Sequence, residues 1–286
     1  MAGRYKRTHA MASTTNIAIV APASRITPQM AEDVRTIAEK LYGESAALHF
    51  HTQCFLTDGH FAGSDAERAD ALIEVANDPR FDAVWFARGG YGSGRIAEKV
   101  LQNLKAEAKN KLYLGYSDLG YLLAGLYKTG CKVAHGPMPA DLRRDGGVAA
   151  VTRALRYLLD RAPDALEPSV SPDHPSAAFN MVVLNHILGT ALEPDLTGHV
   201  VMLEEVSEHM YRIDRALHHI TSFASIRRVA GLRLGRCSDI PPNNPAFGHD
   251  EEAVIKHWCQ VSGIPYLGRA DIGHDIENKV VPFGNM

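Results

Sequence analysis

The chain has 286 residues, enough to bury a sizeable core as one large or two modest domains. Apolar residues make up 45% and charged ones 22%, an ordinary globular balance, and the net charge of −3 gives no electrostatic case for nucleic acid or an anionic membrane as partner. Four scattered cysteines (Cys54, Cys131, Cys237, Cys259) form no C-x-x-C pair and read as reduced, core-filling thiols of a cytoplasmic protein; no apolar run approaches the length of a membrane span.

Residues 1–15 are basic and polar without an apolar segment of the secretory kind, so they read as a disordered tail, with Met11 a second candidate start. An N-terminal α/β domain is expected over 16–160. It opens with the buried strand Asn16–Ala21 running into a Pro/Ser loop, and Thr27-Pro28 then starts a helix as cap and first-turn proline. Ala46–Phe50 is a second short strand. Ser64-Asp65-Ala66-Glu67 is a capping box that predicts a helix to about Asn77. Asp82–Ala87 is a third strand, followed by the glycine loop Arg88–Arg95 and a helix near Ile96–Ala106. The apolar run at Leu112 is a fourth strand, and Leu119, Leu122, Leu123, Leu126 and Tyr127 recur at helical spacing behind it. A strand around Val133 and a helix near Val148–Leu159 complete this half. Strands alternating with helices argue for a parallel sheet covered on both faces, with ligands bound at the carboxyl ends of its strands.

Residues 161–176 carry Pro163, Pro168, Pro172 and Pro175 among Asp and Ser, a linker composition that sets the domain boundary. In 177–286 the spacing predicts a strand at Gly198–Leu203 ending on Glu204 and Glu205, and a helix around Tyr211–Phe223. A strand near Val229–Leu234, a helix at Glu251–Val261, a polar loop at Ile272–Asn278 and a last strand at Lys279–Val281 follow, a mixed α+β pattern.

Ser117 stands at the turn between the fourth strand and its helix. That position suits a nucleophile lifted out of a sheet edge, and equally a simple helix N-cap. Leu119 occupies the place of the second glycine in G-x-S-x-G. The loop Arg88–Arg95 fails the phosphate-binding spacings, leaving two uses: bare backbone N–H groups for an oxyanion, or a tight turn needing positive φ. None of the fourteen histidines lies in a metal-ligand spacing, so neither metal nor cofactor is expected. Taken singly, Glu204 reads as a solvated strand end and His274 as a solvated loop histidine; together with Ser117 they supply nucleophile, acid and base in the chain order Ser…acid…His.

From Ile17 onward the chain carries a series of short motifs. They are Ala21-Pro22-Ala23-Ser24, Phe61-Ala62-Gly63-Ser64-Asp65 with Arg68, Arg88-Gly89-Gly90-Tyr91-Gly92, and Gly115-Tyr116-Ser117-Asp118. His135-Gly136-Pro137, Leu203-Glu204-Glu205-Val206 with Glu208, Tyr211–Arg215, and Gly273-His274 with Asn278 follow in order. Together they resemble the LD-carboxypeptidase (muramoyltetrapeptide carboxypeptidase) family, which includes the microcin C self-immunity peptidase. The resemblance implies a flavodoxin-like N-terminal domain carrying Ser117 as nucleophile. It also implies a smaller β-rich α/β domain supplying Glu204 and His274, and an oxyanion hole on the backbone N–H groups of Gly90 and Asp118. The implied reaction is release of terminal D-alanine from a cytoplasmic murein tetrapeptide through an acyl-enzyme. Hydrolysis of an aminoacyl-adenylate amide is the alternative, and a non-catalytic muropeptide-binding protein the rival of another class. A small peptide is the expected partner, and a homodimer stays open. At Asn180–Asn185 the chain lacks the glycines that the family carries before its acid-bearing strand, which leaves substrate identity open.

Overall fold

The protein is described here by a computed structural model covering residues 14–285. Most of the expected tail, residues 1–13, lies outside the described residues; Thr15 already belongs to the first strand. Strand and helix then alternate as β1 (Thr15–Val20), α1 (Pro28–Tyr42), β2 (Ala46–Phe50), α2 (Asp65–Asn77), β3 (Ala83–Phe86), α3 (Ser93–Gln102), β4 (Leu112–Gly115), α4 (Gly120–Lys128), β5 (Lys132–His135) and α5 (Gly147–Asp160). Local signals set several of these boundaries. The Thr27 hydroxyl accepts from Met30 N at 3.2 Å, and Ser64 and Glu67 close the capping box that starts α2.

The five strands pair in parallel in the order β2-β1-β3-β4-β5. This is the flavodoxin-like order, in which successive connections leave in opposite directions at β1 and β3 and open a crevice above their carboxyl ends. The loops after β1, β3 and β4 rim that crevice.

The second half reads β6 (Ser176–Asn180), α6 (Met181–Ile187), β7 (Val200–Val206), α7 (Met210–Ser222), β8 (Gly231–Ser238), α8 (Glu251–Ser262), β9 (Tyr266–Arg269) and β10 (Val281–Pro282). Here the mixed α+β pattern read from the sequence is corrected. The sheet β6-β7-β8-β9 is parallel throughout, with helices as crossovers. β6 and β9 escaped sequence reading because each is short and directly follows a proline, Pro175 or Pro265, and α6 because it is a short helix capped by the last residue of β6. β10 returns to the first sheet and pairs antiparallel with the edge of β5.

One face of the first sheet packs on α1 and α5 around Ile17, Ile19, Trp85 and Leu114. The other face belongs to an apolar core that runs unbroken into the second half, from Tyr113, Leu119 and Leu123 through Phe179, Met181 and Leu203 to Leu217 and Leu234. Fully burying such side chains is worth about 1.5–3 kcal/mol each, so the seam between the two sheets is held as firmly as either interior. The stretch read as a linker also makes specific contacts. Glu167 is 3% exposed, and its carboxylate accepts from Asp271 N at 3.1 Å and Ser169 N at 2.7 Å. Among the described residues no helix is long and apolar enough to cross a membrane.

Candidate active site

Ser117 begins a 3₁₀ turn directly after β4, with φ of +62°. A β-carbon makes this left-handed conformation costly, on the order of 1–3 kcal/mol, and such strain persists only where the surroundings enforce it. The turn lifts the Ser117 side chain above the sheet edge. Ser117 is not the cap of the following helix: neither its own 3₁₀ turn nor α4 has a side-chain cap. Capping falls instead to the next residue, but on another helix. Asp118 Oδ2 accepts from Ser93 N at 2.9 Å at the start of α3, and Ser93 Oγ donates to Asp118 O at 2.5 Å. Burial pushes the Asp118 carboxyl up, against the opposing pull of the Ser93 and Gly92 backbone and of Arg68.

The Ser117 hydroxyl meets His274 Nε2 at 2.9 Å, and His274 Nδ1 meets Glu204 Oε2 at 2.5 Å. A carboxylate can only accept, so Nδ1 carries the proton and Nε2 is left as the acceptor for the serine O–H. Three residues expected from the sequence to act together are therefore joined end to end. They come from three places: the turn after β4, the strand β7 and the loop after β9. Glu204 is fully buried, and its other oxygen, Oε1, is buried without a partner. The Glu204 charge is thus directed at the imidazole. Burial alone would lower the His274 pKa, but the charge and hydrogen bond of Glu204, with Glu205 and Asp141 further off, raise it above 6.5.

Glu205 sits on the opposite side of the strand. It accepts from Asn180 Nδ2 at 2.7 Å and from Val182 N and Val206 N at 2.9 Å each, and so fastens the start of α6. Burial, with the adjacent Glu204 charge, pushes its carboxyl up to about 7.

The glycine loop lies across from the serine. Gly90 has φ of +116°, and a β-carbon there would stand 2.3 Å from Ser24 Oγ, so glycine is required. The adjacent Gly89 sits close enough that a β-carbon would come 3.1 Å from Ser117 Oγ. Neither Gly90 N nor Asp118 N makes a hydrogen bond among the described residues. The Arg68 guanidinium, fully buried, holds the loop's shape by donating to Gly92 O at 2.9 Å and also to Pro22 O and Asp65. Sequence shows Arg68 beside Asp65 in one motif but not this role, because Pro22 and Gly92 reach it only in the fold.

The histidine loop is held in the same way. Asn278 Oδ1 accepts from Gly273 N and from His135 Nε2, both at 3.2 Å, while Arg236 bridges Asp271 at 2.5 Å and Asp275 at 2.9 Å. Full burial drives the His135 pKa down to about 4, so that ring stays neutral. Tyr116 places its ring 5.0 Å from that of His274 and donates its hydroxyl to Asp141 at 2.7 Å.

Ser117 and His274 open on a cleft of about 490 Å³ between the two sheets, lined also by Arg88, Gly90, Met138, Arg143 and Val206. The altered segment Asn180–Asn185 does not line it. Asn180 caps α6 through Val183 N at 3.2 Å, and Val182 and Asn185 border a neighbouring cleft of about 710 Å³ with Arg212 and His219. Among the described residues no group of three or more His, Cys, Asp or Glu side chains could hold a metal ion.

Comparison with known proteins gives two family matches, the LD-carboxypeptidase N-terminal domain over residues 17–136 and the LD-carboxypeptidase C-terminal domain over residues 177–286. A putative carboxypeptidase of Synechocystis sp. is 32% identical over 234 residues, covering 79% of this chain and 76% of its own. A murein tetrapeptide carboxypeptidase of Pseudomonas aeruginosa is 24% identical over 288 residues, covering 94% and 91%. The crystal structure of a muramoyltetrapeptide carboxypeptidase from Oxalobacter formigenes superposes with a TM-score of 0.77 at 24% identity, over 94% of this chain and 93% of that one, a likeness of fold.

Proposed function

The chain belongs to the LD-carboxypeptidase family, and we propose that it is a serine carboxypeptidase of that family which releases terminal D-alanine from a murein tetrapeptide. The observation that carries this reading is the continuous path from Ser117 Oγ through His274 to the buried Glu204, at 2.9 and 2.5 Å, with Ser117 at positive φ.

In this reading Ser117 Oγ attacks the carbonyl carbon of the amide that links the diamino acid to D-alanine. His274 Nε2 takes the hydroxyl proton and Glu204 steadies the imidazolium that forms. The carbonyl oxygen becomes an oxyanion facing the unpartnered N–H groups of Gly90 and Asp118. His274 then returns the proton to the leaving amine, the C–N bond breaks, and an ester to Ser117 remains. Water enters, His274 accepts its proton, and hydrolysis of the ester frees the shortened peptide and restores Ser117. No metal or cofactor takes part. In this reading the tetrapeptide is a cell-wall recycling product met in the cytoplasm.

The test is incubation of the purified protein with murein tetrapeptide and, separately, with an aminoacyl-sulfamoyl-adenosine, with products followed by mass spectrometry. Release of D-alanine supports the reading. Cleavage of the adenosine conjugate alone overturns the substrate assignment, and cleavage of neither overturns the enzyme assignment.

A further inference from the structure

The cleft beside Ser117 carries positive charge that the protein itself leaves unanswered. Three guanidinium groups line it, those of Arg88, Arg143 and Arg144, against one carboxylate, Asp141. Asp141 is already committed: it accepts from the Tyr116 hydroxyl at 2.7 Å, from Met138 N at 2.8 Å and from Arg144 Nε at 3.2 Å. Arg88 and Arg143 have no acidic side chain within ion-pair distance among the described residues. Arg88 donates only to the backbone oxygen of Arg25 at 3.2 Å, and Arg143 only to that of Ala140 at 3.2 Å. Arg88 is half-buried, and Arg143 and Arg25 are close enough to oppose its charge. Arg143 and Arg25 are exposed, so the cost of like charge without a counter-ion falls mainly on the half-buried Arg88, and an anion joining it relieves that cost.

The position of Arg88 says what that anion is. Gly89, the next residue, abuts Ser117, and Gly90 lines the same cleft with its N–H unpartnered among the described residues, so one short loop carries the guanidinium beside a free backbone donor. In a peptide whose last amide is the one attacked, the terminal carboxylate lies about one residue spacing (~3.8 Å) beyond the reacting carbon. We propose that Arg88, with Arg143 lining the same cleft, binds the C-terminal carboxylate of the substrate and so confines Ser117 to the last peptide bond. A guanidinium presents parallel N–H groups that match a carboxylate in bidentate fashion, which a neutral internal amide cannot satisfy. This inference rests on the serine carboxypeptidase reading and adds the group that recognises the chain end.

The experiment compares the tetrapeptide as free acid with the same peptide as C-terminal amide, using wild type, Arg88→Ala and Arg88→Lys. Labelling of Ser117 by a fluorophosphonate and the thermal melt are followed in parallel. Wild type should favour the acid, and Arg88→Ala should lower the acid-to-amide ratio of kcat/KM by about 10- to 100-fold, chiefly through KM. Arg88→Lys should fall between, since it keeps the charge and loses the fork. A wild type indifferent to the terminal group, or an Arg88→Ala protein that melts and labels normally with an unchanged ratio, overturns the Arg88 assignment alone. A wild type that cleaves neither peptide and leaves Ser117 unlabelled overturns the serine carboxypeptidase reading and this inference with it.

Discussion

Glu204 and Glu205 are neighbours on β7 with divided tasks: Glu204 meets His274 Nδ1 at 2.5 Å, while Glu205 turns away to hold Asn180 and the first turn of α6. Side chains alternate across a strand, so only one of two consecutive acids can face the histidine. Glu204→Gln should keep the fold and lower kcat by roughly 10²–10⁴, because a carboxamide does not fix the tautomer or stabilise the imidazolium. Glu205→Gln should cost less than about tenfold, since Glu205 touches α6 and not the ring. Steady-state kinetics on both variants checks this; a larger loss from Glu205→Gln than from Glu204→Gln would reverse the assignment.

His274 must be neutral at Nε2 to accept the serine proton. Its pKa is raised above 6.5, so activity should climb with pH along an acid limb centred above that value. Removing the Glu204 charge withdraws the main support of the imidazolium. In Glu204→Gln the limb should therefore move to lower pH, even as the plateau falls. A pH profile of kcat/KM for both proteins measures the shift.

Glu205 makes a prediction about stability instead. Burial raises its pKa from 4.5 to about 7, so the folded chain holds this proton where the unfolded chain has released it. The sign follows: stability contributed by this group is greatest below pH 4.5 and is lost as pH rises towards 7. Replacement by Gln removes the titration. At about 1.4 kcal/mol per pH unit across that window, and about 2–4 °C per kcal/mol for a chain of this size, the Tm of wild type should fall by roughly 10 °C relative to Glu205→Gln.

Gly89→Ala probes the contact between the glycine loop and the nucleophile. The added methyl would come 3.1 Å from both Ser117 Cβ and Oγ, closer than such atoms sit comfortably. Gly89 lies outside the positive-φ region, so the fold should persist while Oγ is displaced from its line to His274. A fall in kcat of up to about 10²-fold with a Tm near that of wild type is expected. Gly90→Ala, at φ of +116° and against Ser24 Oγ, should lower the Tm as well.

Much of this arrangement is readable along the chain, because short-range chemistry specifies it. Thr27-Pro28 and the Ser64–Glu67 box announce their helices, and apolar runs announce β1, β3 and β4. Ser117, Glu204 and His274 are nameable from their motifs. Their meeting is not, because it depends on a seam between two sheets whose contacts span up to 157 positions. The positive φ of Ser117 is equally silent in sequence, since serine ordinarily avoids it. Arg68 and Asn278 are visible as motif residues but their tasks are not, because they tie together loops distant in sequence, and Arg236 does the same with no motif to mark it. The strand β6 hides behind a proline-rich stretch, and the parallel character of the second sheet emerges only once β6 and β9 are recognised.

The most direct measurement is D-alanine release from murein tetrapeptide by wild type and by Ser117→Ala, with folding of both followed by circular dichroism. Wild type should release D-alanine, and a folded Ser117→Ala should be slower by on the order of 10⁴–10⁶, because nucleophile, base and acid act as one unit. A folded Ser117→Ala protein that releases D-alanine at the wild-type rate would contradict nucleophilic catalysis by Ser117.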